Sequence, residues 1–304
     1  MPRTLEATFE NIRLEALLYK ADKPTDKPLL FCLPGGGAAR GFFDLAPDYS
    51  FADRMMAKGF DVITMDHPGT GTNLLPENHG FLSPRVSADY INWALSSFID
   101  AEWPAQAEMT EREVIGIGHS MGGMMATLVQ GRHRPFKAMA LLGSSAGGLD
   151  WGLSEDELKY KNREADIARD LKALTLAKFG AEFPGSPGGG PSGKSILFGG
   201  ETEELTEDLR QNTCKLFAAG GMMSMLRGSF KTEVESLDIP LFFAFGDHDL
   251  GIPPKDVPKD YVNAPSTQLM ILENTGHNHM AFSSIGGLTD AIGDWVAGVK
   301  GIRL

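Results

Sequence analysis

Hydrophobic and polar residues follow two periods along the chain, and these separate predicted strands from predicted helices. Short, almost wholly apolar runs predict buried strands over 28–34, 61–68, 113–119, 136–143, 239–247 and 267–274. Longer stretches with apolar residues three or four apart predict helices over 50–59, 87–100, 121–133, 253–263 and 288–299. Near the start, 4–9 and 13–19 alternate polar and apolar residues, which predicts an antiparallel edge to the sheet. The whole pattern predicts an α/β fold, a mostly parallel sheet with helices on both faces.

One long region interrupts the alternation of strands and helices. Residues 147–236 contain no strand pattern, and a charged helical pattern covers 154–179. A helical segment inserted between two strands of an open α/β sheet is well placed to cover the carboxyl ends of the strands, where such sheets bind ligands. We therefore predict a helical cap or lid over 147–236, inserted between strands 6 and 7 of a core formed by 1–146 and 237–304.

Composition narrows the classes of partner. The chain has 304 residues and a formal net charge of −12, which argues against nucleic acid or an anionic membrane as partner because both need a basic surface. The first residues show neither a signal-peptide pattern nor a membrane span. Two cysteines, Cys32 and Cys214, are too few for a disulfide framework. A cytoplasmic protein that binds a small molecule is the simplest interpretation.

A glycine-rich stretch raises the question of nucleotide binding. "GGGPSGKS", Gly188 to Ser195, matches the phosphate-binding pattern G-x-x-x-x-G-K-[ST]. That pattern binds phosphate when it joins a buried strand to a helix. Here two prolines and no strand precede it, and two glycines follow before a helix can run. We therefore interpret it as a glycine and proline loop of the cap.

A second glycine motif stands in a better context. "GHSMG", Gly118 to Gly122, follows a predicted strand and opens a predicted helix, as the nucleophile elbow of a hydrolase requires. The same pattern occurs in "GSSAG", Gly143 to Gly147, but no tightly packed helix can follow there. We therefore predict Ser120 as a nucleophile and interpret Ser145 as a loop residue.

A serine nucleophile needs a base and an acid that holds the base. "DHD", 247–249, follows one late strand, and "TGHNH", 275–279, follows the next. Both turns leave the same edge of a parallel sheet as the serine, and the chain order is serine, acid, histidine. At this point Asp247 and Asp249 both remain candidates for the acid, as do His277 and His279 for the base.

These pieces together resemble the α/β-hydrolase family over nearly the whole chain except the cap. The matching pieces, in order, are "LPGGG", "DHPGTGTN", "GHSMGG", "GDHD" and "TGHNHM". The resemblance implies Ser120 as nucleophile, Asp249 as acid and His277 as base. Asp247 is then interpreted as a turn-capping carboxylate and His279 as a partly buried, hydrogen-bonded loop residue.

Acyl transfer also needs backbone donors for the oxyanion. The resemblance implies the amide of Met121, directly after the nucleophile, and the amide of Gly36 in "LPGGG", with Gly37 next. Many members of the family have histidine where Pro34 stands, so the choice between the two glycines stays open. Methionines of the cap, Met222, Met223 and Met225, form a further hypothesis: a flexible apolar surface for the substrate.

The predicted function is hydrolysis of a carboxylic ester or lactone of a small, largely apolar substrate through an acyl-enzyme, without metal or cofactor. Carbon–carbon bond hydrolysis, a cofactor-free lyase and a noncatalytic ligand-binding protein on the same scaffold are the alternatives. The pairing of "HNH" with "DHD" also allows a zinc site, but no other residues supply ligand spacing. A monomer and a homodimer are equally compatible with the sequence.

Overall fold

The computed structural model of the chain describes residues 1–23, 26–104, 112–149, 152–185 and 199–302. None of the helices within these ranges is both long enough and apolar enough to cross a membrane.

Eight strands of the described chain form one sheet. Their bounds are β1 (Arg3–Phe9), β2 (Ile12–Tyr19), β3 (Leu29–Leu33), β4 (Val62–Met65), β5 (Val114–His119), β6 (Ala138–Leu142), β7 (Leu241–Gly246) and β8 (Thr267–Leu272). The spatial order is β1-β2-β4-β3-β5-β6-β7-β8. β2 is antiparallel to both of its neighbours, and from β4 to β8 all neighbours are parallel. The predicted mostly parallel sheet with an antiparallel edge is therefore confirmed.

Helices cover both faces of this sheet, as predicted. The bounds are α1 (Phe51–Ala57), α2 (Pro84–Glu102), α3 (Met121–His133), α4 (Glu155–Leu158), α5 (Glu164–Phe179), α6 (Glu203–Gln211), α7 (Ala218–Met225), α8 (Lys231–Glu235) and α9 (Ile285–Gly298). One buried core joins α2 and α3 to the sheet, and a second core joins α1 and α9 to the opposite face. Burial on both faces explains why the sequences of β3 to β7 are continuously apolar. The strand predicted over 267–274 is present as β8, but the prediction that it is buried is wrong: β8 lies at the edge of the sheet and is mostly exposed or half-buried.

Two predicted helices differ from the structure. The stretch predicted as a helix over 253–263 forms a 3₁₀ helix at Pro254–Asp260, because Pro258 within it lacks the N–H that an α-helix needs. The charged pattern over 154–179 divides into α4 and α5. Between them Asn162 has a φ of +62°, a left-handed conformation that a continuous helix does not allow.

The region between β6 and β7 carries α4 to α8 and, in its described part, no strand of the sheet. We call residues 147–236 the insertion. Its boundaries remain a prediction, as does its role as a cap. Backbone hydrogen bonds connect it to residues 34–39, which we call the glycine loop: the amide of Cys214 donates to the carbonyl of Gly37 (2.9 Å), and that of Ala39 to the carbonyl of Asn212 (2.7 Å).

Arg85 is one of the residues that join the insertion to the core. The Arg85 guanidinium, on α2, donates two bonds to the Glu233 carboxylate of α8 (2.6 and 3.0 Å) and one to Glu164 of α5 (2.6 Å). The Glu233 side chain is only 6% exposed, so its charge depends on this partner.

We expect Arg85→Met to lower the free energy of unfolding by about 2–3 kcal/mol, because a nearly buried carboxylate loses its bidentate partner. The expected loss of unfolding free energy is smaller than for a fully buried ion pair, because a quarter of the Arg85 side chain is exposed to water. Urea unfolding measures it. Arg134→Met is the matched control: the Arg134–Asp238 pair is more than half exposed on both sides, and its loss should change stability by no more than about 0.5 kcal/mol. Equal losses in the two variants would contradict the prediction.

Candidate active site

The candidate residues follow strands that end at one edge of the sheet. The glycine loop follows β3, Ser120 follows β5, Asp249 follows β7 and His277 follows β8. These four strands are parallel members of one sheet, so their carboxyl ends lie together, at the edge where open α/β sheets bind ligands.

Ser120 occupies a strained turn between β5 and α3. Its φ of +53° and ψ of −124° are unusual for a residue with a side chain, and they hold it in a sharp strand-to-helix turn. Glycines on both sides permit this turn. A Cβ atom at Gly118 would lie 2.4 Å from the Cα of Gly123, and one at Gly122 would lie 2.1 Å from the carbonyl oxygen of Leu33. The predicted elbow geometry is therefore present at Ser120.

His277 and Asp249 form a buried pair next to the serine. His277 Nδ1 donates to Asp249 Oδ1 at 2.5 Å, and the two side chains are 5% and 2% exposed. This bond leaves His277 Nε2 as the ring atom able to accept a proton. Ser120 and His277 line the same two cavities, although Ser120 Oγ makes no hydrogen bond within the described residues. Catalytic contacts of this kind are often open before substrate binds.

Asp249 accepts hydrogen bonds at both of its oxygens. Besides His277, the donors are His279 Nε2 to Oδ2 (2.7 Å), the amide of Leu250 to Oδ1 (2.7 Å) and that of Gly246 to Oδ2 (3.2 Å). Burial alone would raise the pKa of Asp249, but the hydrogen bonds from His277 and His279 outweigh it and hold that pKa well below its usual range. The carboxylate is therefore charged throughout the pH range in which a histidine works.

Asp247 and His279, the alternative acid and base, have different surroundings from Asp249 and His277. Asp247 accepts hydrogen bonds from the amides of Asn274 and Thr275, both at 2.9 Å, and so braces the turn after β8, in keeping with the interpretation as a turn residue. His279 is hydrogen-bonded, as predicted, but it is fully buried and not partly buried. Its side chain is 0% exposed and is bonded directly to Asp249.

Two further histidines are hydrogen-bonded to the backbone of loops that form the site. The sequence analysis did not predict these contacts. His119 Nε2 donates to the backbone carbonyl of His277 at 2.7 Å, and His67 Nε2 donates to that of Pro34 at 2.8 Å. Burial is the main cause that lowers the pKa of both, so both are neutral. His119 thus holds the histidine loop, and His67 holds the glycine loop. Their positions at strand ends were the only signal in the sequence.

The predicted oxyanion donors lie next to Ser120. Met121 begins α3, so its amide is one of the first in the helix, which have no partner inside it. Gly36 lines both cavities beside Ser120, and a Cβ atom there would lie 2.9 Å from Leu216 Cδ1. Gly37 has a φ of +79°, and its carbonyl accepts from Cys214, so its glycine is required by the turn.

Two cavities of unequal size meet at Ser120. Both are lined by Gly36, Ser120 and His277. The large cavity has a volume of about 320 Å³ and is mostly apolar, with side chains that include Leu149, Phe179, Leu216, Met225 and Phe245. The small cavity has a volume of about 40 Å³ and lies beside the glycine loop, with Phe42, Leu209, Asn212, Thr213 and Asn278 in its wall. The serine thus has space for one large and one small group.

The hypothesis about the methionines of the insertion is wrong for two of the three. Met225 lines the large cavity, but Met222 and Met223 are 0% and 1% exposed and pack in the core shared with α2 and α3. Met121 lines the large cavity as well, which the sequence analysis did not predict. Met225 is the last residue of α7, whereas Met222 and Met223 lie within the helix.

Two other sequence hypotheses concern ligands. Among the described residues, no group of three or more His, Cys, Asp or Glu side chains is arranged to hold a metal ion. His277 and His279 instead both donate to Asp249. The pattern Gly188–Ser195 lies outside the described residues.

Comparison with known proteins identifies the family. The sequence model of the Alpha/beta hydrolase family matches residues 30–284, which is most of the chain. The chain belongs to the alpha/beta hydrolase family. No curated protein sequence matches this hydrolase closely enough to count as a relative.

Several solved structures are similar to this alpha/beta hydrolase over nearly its whole length. A thermophilic esterase from Thermogutta terrifontis has a TM-score of 0.63 at 17% identity, with 98% of each chain covered. A monoglyceride lipase from Saccharomyces cerevisiae has a TM-score of 0.66 at 14% identity, covering 97% of this chain and 94% of its own. An enol-lactonase from Burkholderia xenovorans LB400 has a TM-score of 0.60 at 16% identity, with coverages of 96% and 100%. At such identities the likeness supports the fold alone.

We expect Gly122→Ala to lower the free energy of unfolding by about 4 kcal/mol or more, because the new Cβ would overlap backbone oxygens at the end of β3. Thermal unfolding followed by circular dichroism measures the loss. Gly287→Ala on the exposed face of α9 is the control, since its Cβ would meet no atom closer than 3.9 Å. It should leave the protein as stable or more stable by up to about 1 kcal/mol. A Gly122→Ala protein as stable as the control would show that the elbow is less tightly packed than described.

Proposed function

We propose that this chain hydrolyses a carboxylic ester or lactone of a small, largely apolar substrate through an acyl-enzyme. In this proposal Ser120 is the nucleophile, His277 the general base and Asp249 the acid that holds it. The amides of Gly36 and Met121 bind the oxyanion. The observation that carries the proposal is the buried His277–Asp249 pair beside a strained serine at the junction of two cavities.

The mechanism follows from the atoms in these positions. His277 Nε2 takes the hydroxyl proton as Ser120 Oγ attacks the carbonyl carbon, and the oxygen that becomes negative is stabilised by the two amides. The bond to the leaving alcohol then breaks, and the alcohol oxygen receives the proton from His277. Water next attacks the acyl-serine and gives one proton to His277. That proton returns to Ser120 as the acid leaves, so no cofactor is consumed.

Two further observations support ester or lactone chemistry. The large cavity is mostly apolar, which suits an alkyl or aromatic group rather than a charged one. The similar structures include proteins described as an esterase, a monoglyceride lipase and an enol-lactonase.

The insertion supplies Phe179, Leu216 and Met225 to the wall of the large cavity, in keeping with its proposed role as a cap. A cytoplasmic location and the absence of nucleic-acid and membrane partners remain predictions from composition.

We expect Ser120→Ala to lower kcat for esters and lactones by about 10⁴-fold or more, because no other group replaces the nucleophile. The measurement is hydrolysis of a panel of alkyl esters, lactones and vinylogous diketones by both proteins. Ser145, in the second G-x-S-x-G match, lines the large cavity but lies in a loop and not at a strand-to-helix turn, so Ser145→Ala should lower kcat by less than about tenfold.

The alternatives predict different results in the same panel. Diketone cleavage with little ester turnover would move the function to carbon–carbon bond hydrolysis. Ester turnover that survives Ser120→Ala would contradict the proposed nucleophile. A noncatalytic binding protein would hydrolyse no member of the panel and would not be labelled at Ser120 by a serine-directed phosphonate.

A further inference from the structure

The small cavity limits one of the two groups attached to the reacting carbonyl. When Ser120 Oγ attacks, that carbonyl carbon lies at the junction of the two cavities, and its two substituents point away from each other. The large cavity, about 320 Å³, accepts a group of many heavy atoms. The small cavity, about 40 Å³, has room for on the order of three water-sized groups.

The walls of the small cavity are held in place by other contacts. The Phe42 ring is 1% exposed and lies 4.5 Å, centroid to centroid, from the ring of His119. Leu209, on α6, is 4% exposed. The carbonyl of Asn212 accepts from the amide of Ala39 in the glycine loop. Enlarging this cavity on the side of Phe42 and Leu209 would require buried side chains to move, which close-packed interiors resist.

We propose that the substrates are unsymmetrical esters in which one substituent of the carbonyl has no more than a few heavy atoms and the other is large and apolar. Methyl or ethyl esters of apolar acids fit this description, as do acetyl or propionyl esters of apolar alcohols. This inference rests on the proposed ester hydrolysis and narrows its substrate class. Leu209 is then the residue that sets the size of the small group.

The test uses two series of esters and three proteins. One series lengthens the alcohol of a hexanoate ester from methyl to benzyl, and the other lengthens the acyl group of a hexyl ester from acetyl to benzoyl. In one of the two series kcat/KM should fall by about tenfold or more as the group outgrows the small cavity. Leu209→Ala should remove most of that fall. The series that falls reveals which substituent occupies the small cavity.

Leu205→Ala is the matched control, because Leu205 is an equally buried leucine of α6 that lines neither cavity. It should leave the fall unchanged. Leu209→Val provides a milder change should the alanine variant fold poorly. Equal tolerance of long groups in both series, or equal effects of the Leu209 and Leu205 variants, would overturn the size limit alone. Absence of any turnover that depends on Ser120 would instead overturn the proposed function.

A separate observation concerns the second histidine on Asp249. His279 is fully buried and its Nε2 donates to Asp249 Oδ2, while its Nδ1 has no partner among the described residues. Burying a ring nitrogen without a hydrogen-bond partner costs free energy. We therefore attribute the burial of His279 to its hydrogen bond with Asp249 and not to packing alone. We infer that His279 is a positioning residue, which fixes the plane of the Asp249 carboxylate and withdraws part of its charge from His277. This also rests on the proposed triad.

In the described part of the chain, two further titratable side chains lie near the Asp249–His279 pair, besides His277. His119 lies near both rings, 4.8 Å from the centroid of His277 and 5.5 Å from that of His279, and it is neutral. In the acid turn, the Asp247 carboxylate is bound to backbone amides after β8. Removing the donor at position 279 therefore changes chiefly the charge that Asp249 presents to His277.

We expect His279→Leu to lower kcat by about tenfold or more with little change in KM, because the carboxylate that orients the base becomes less precisely held. The acid limb of the pH profile of kcat/KM should move to higher pH. A carboxylate with one donor fewer stabilises protonated His277 more strongly, and the protonated form is inactive. His279→Gln, whose amide can still donate to Oδ2, should recover part of both effects.

His79→Leu is the control, because this histidine bonds Tyr90 away from both cavities, and it should leave the pH profile unmoved. A loss of kcat in His279→Leu with an unmoved acid limb, and no recovery in His279→Gln, would reduce His279 to a packing residue. Since the parent enzyme must first show turnover that depends on Ser120, this result would leave the proposed function intact.

Discussion

The site is organised around one charge that is almost completely removed from water. A carboxylate at 2% exposure is tolerated only when donors surround it, and Asp249 has them at both oxygens. Two of those donors are backbone amides of its own turn, which fix the turn after β7. The other two are His277 and His279, which fix the loop after β8. The position of the ring beside Ser120 is thus a consequence of how one buried charge is satisfied.

The sheet brings these groups together, and close packing determines the space left for a substrate. Parallel strands deliver the serine, the acid and the histidine to one edge. The glycines at 118 and 122 let α3 approach β5 and β3 so closely that no side chain fits between them. The same tight packing leaves little room beside the glycine loop, while the side chains of the insertion surround a wider apolar space on the other side. The position of Ser120 and the shapes of the two cavities therefore have a common structural origin.

Local sequence patterns predicted the features that depend on local structure. The strands, the antiparallel edge and the elbow at Ser120 are each encoded in a few consecutive residues, and they were found. The exposure of β8 was not, because a short apolar run does not show whether a strand lies at the edge of the sheet. The bonds of His119 to His277 and of His67 to Pro34 join residues distant in the chain, so no local pattern reports them. The burial of Met222 likewise depends on packing that periodicity does not describe. The 3₁₀ helix at Pro254–Asp260 differs, because Pro258 stands in the sequence and periodicity alone overlooked it.

The backbone hydrogen bonds between the glycine loop and the insertion limit which segments could replace the insertion. The backbone of Cys214 and Asn212 is hydrogen-bonded to the backbone of Gly37 and Ala39, so residues of the insertion hold the glycine loop in place. An unrelated helical segment grafted between β6 and β7 would have to supply an extended stretch in the same place, or the loop would lose its support. The insertion is therefore not an interchangeable module, and a chimera would need to retain residues 212–214 as part of the scaffold.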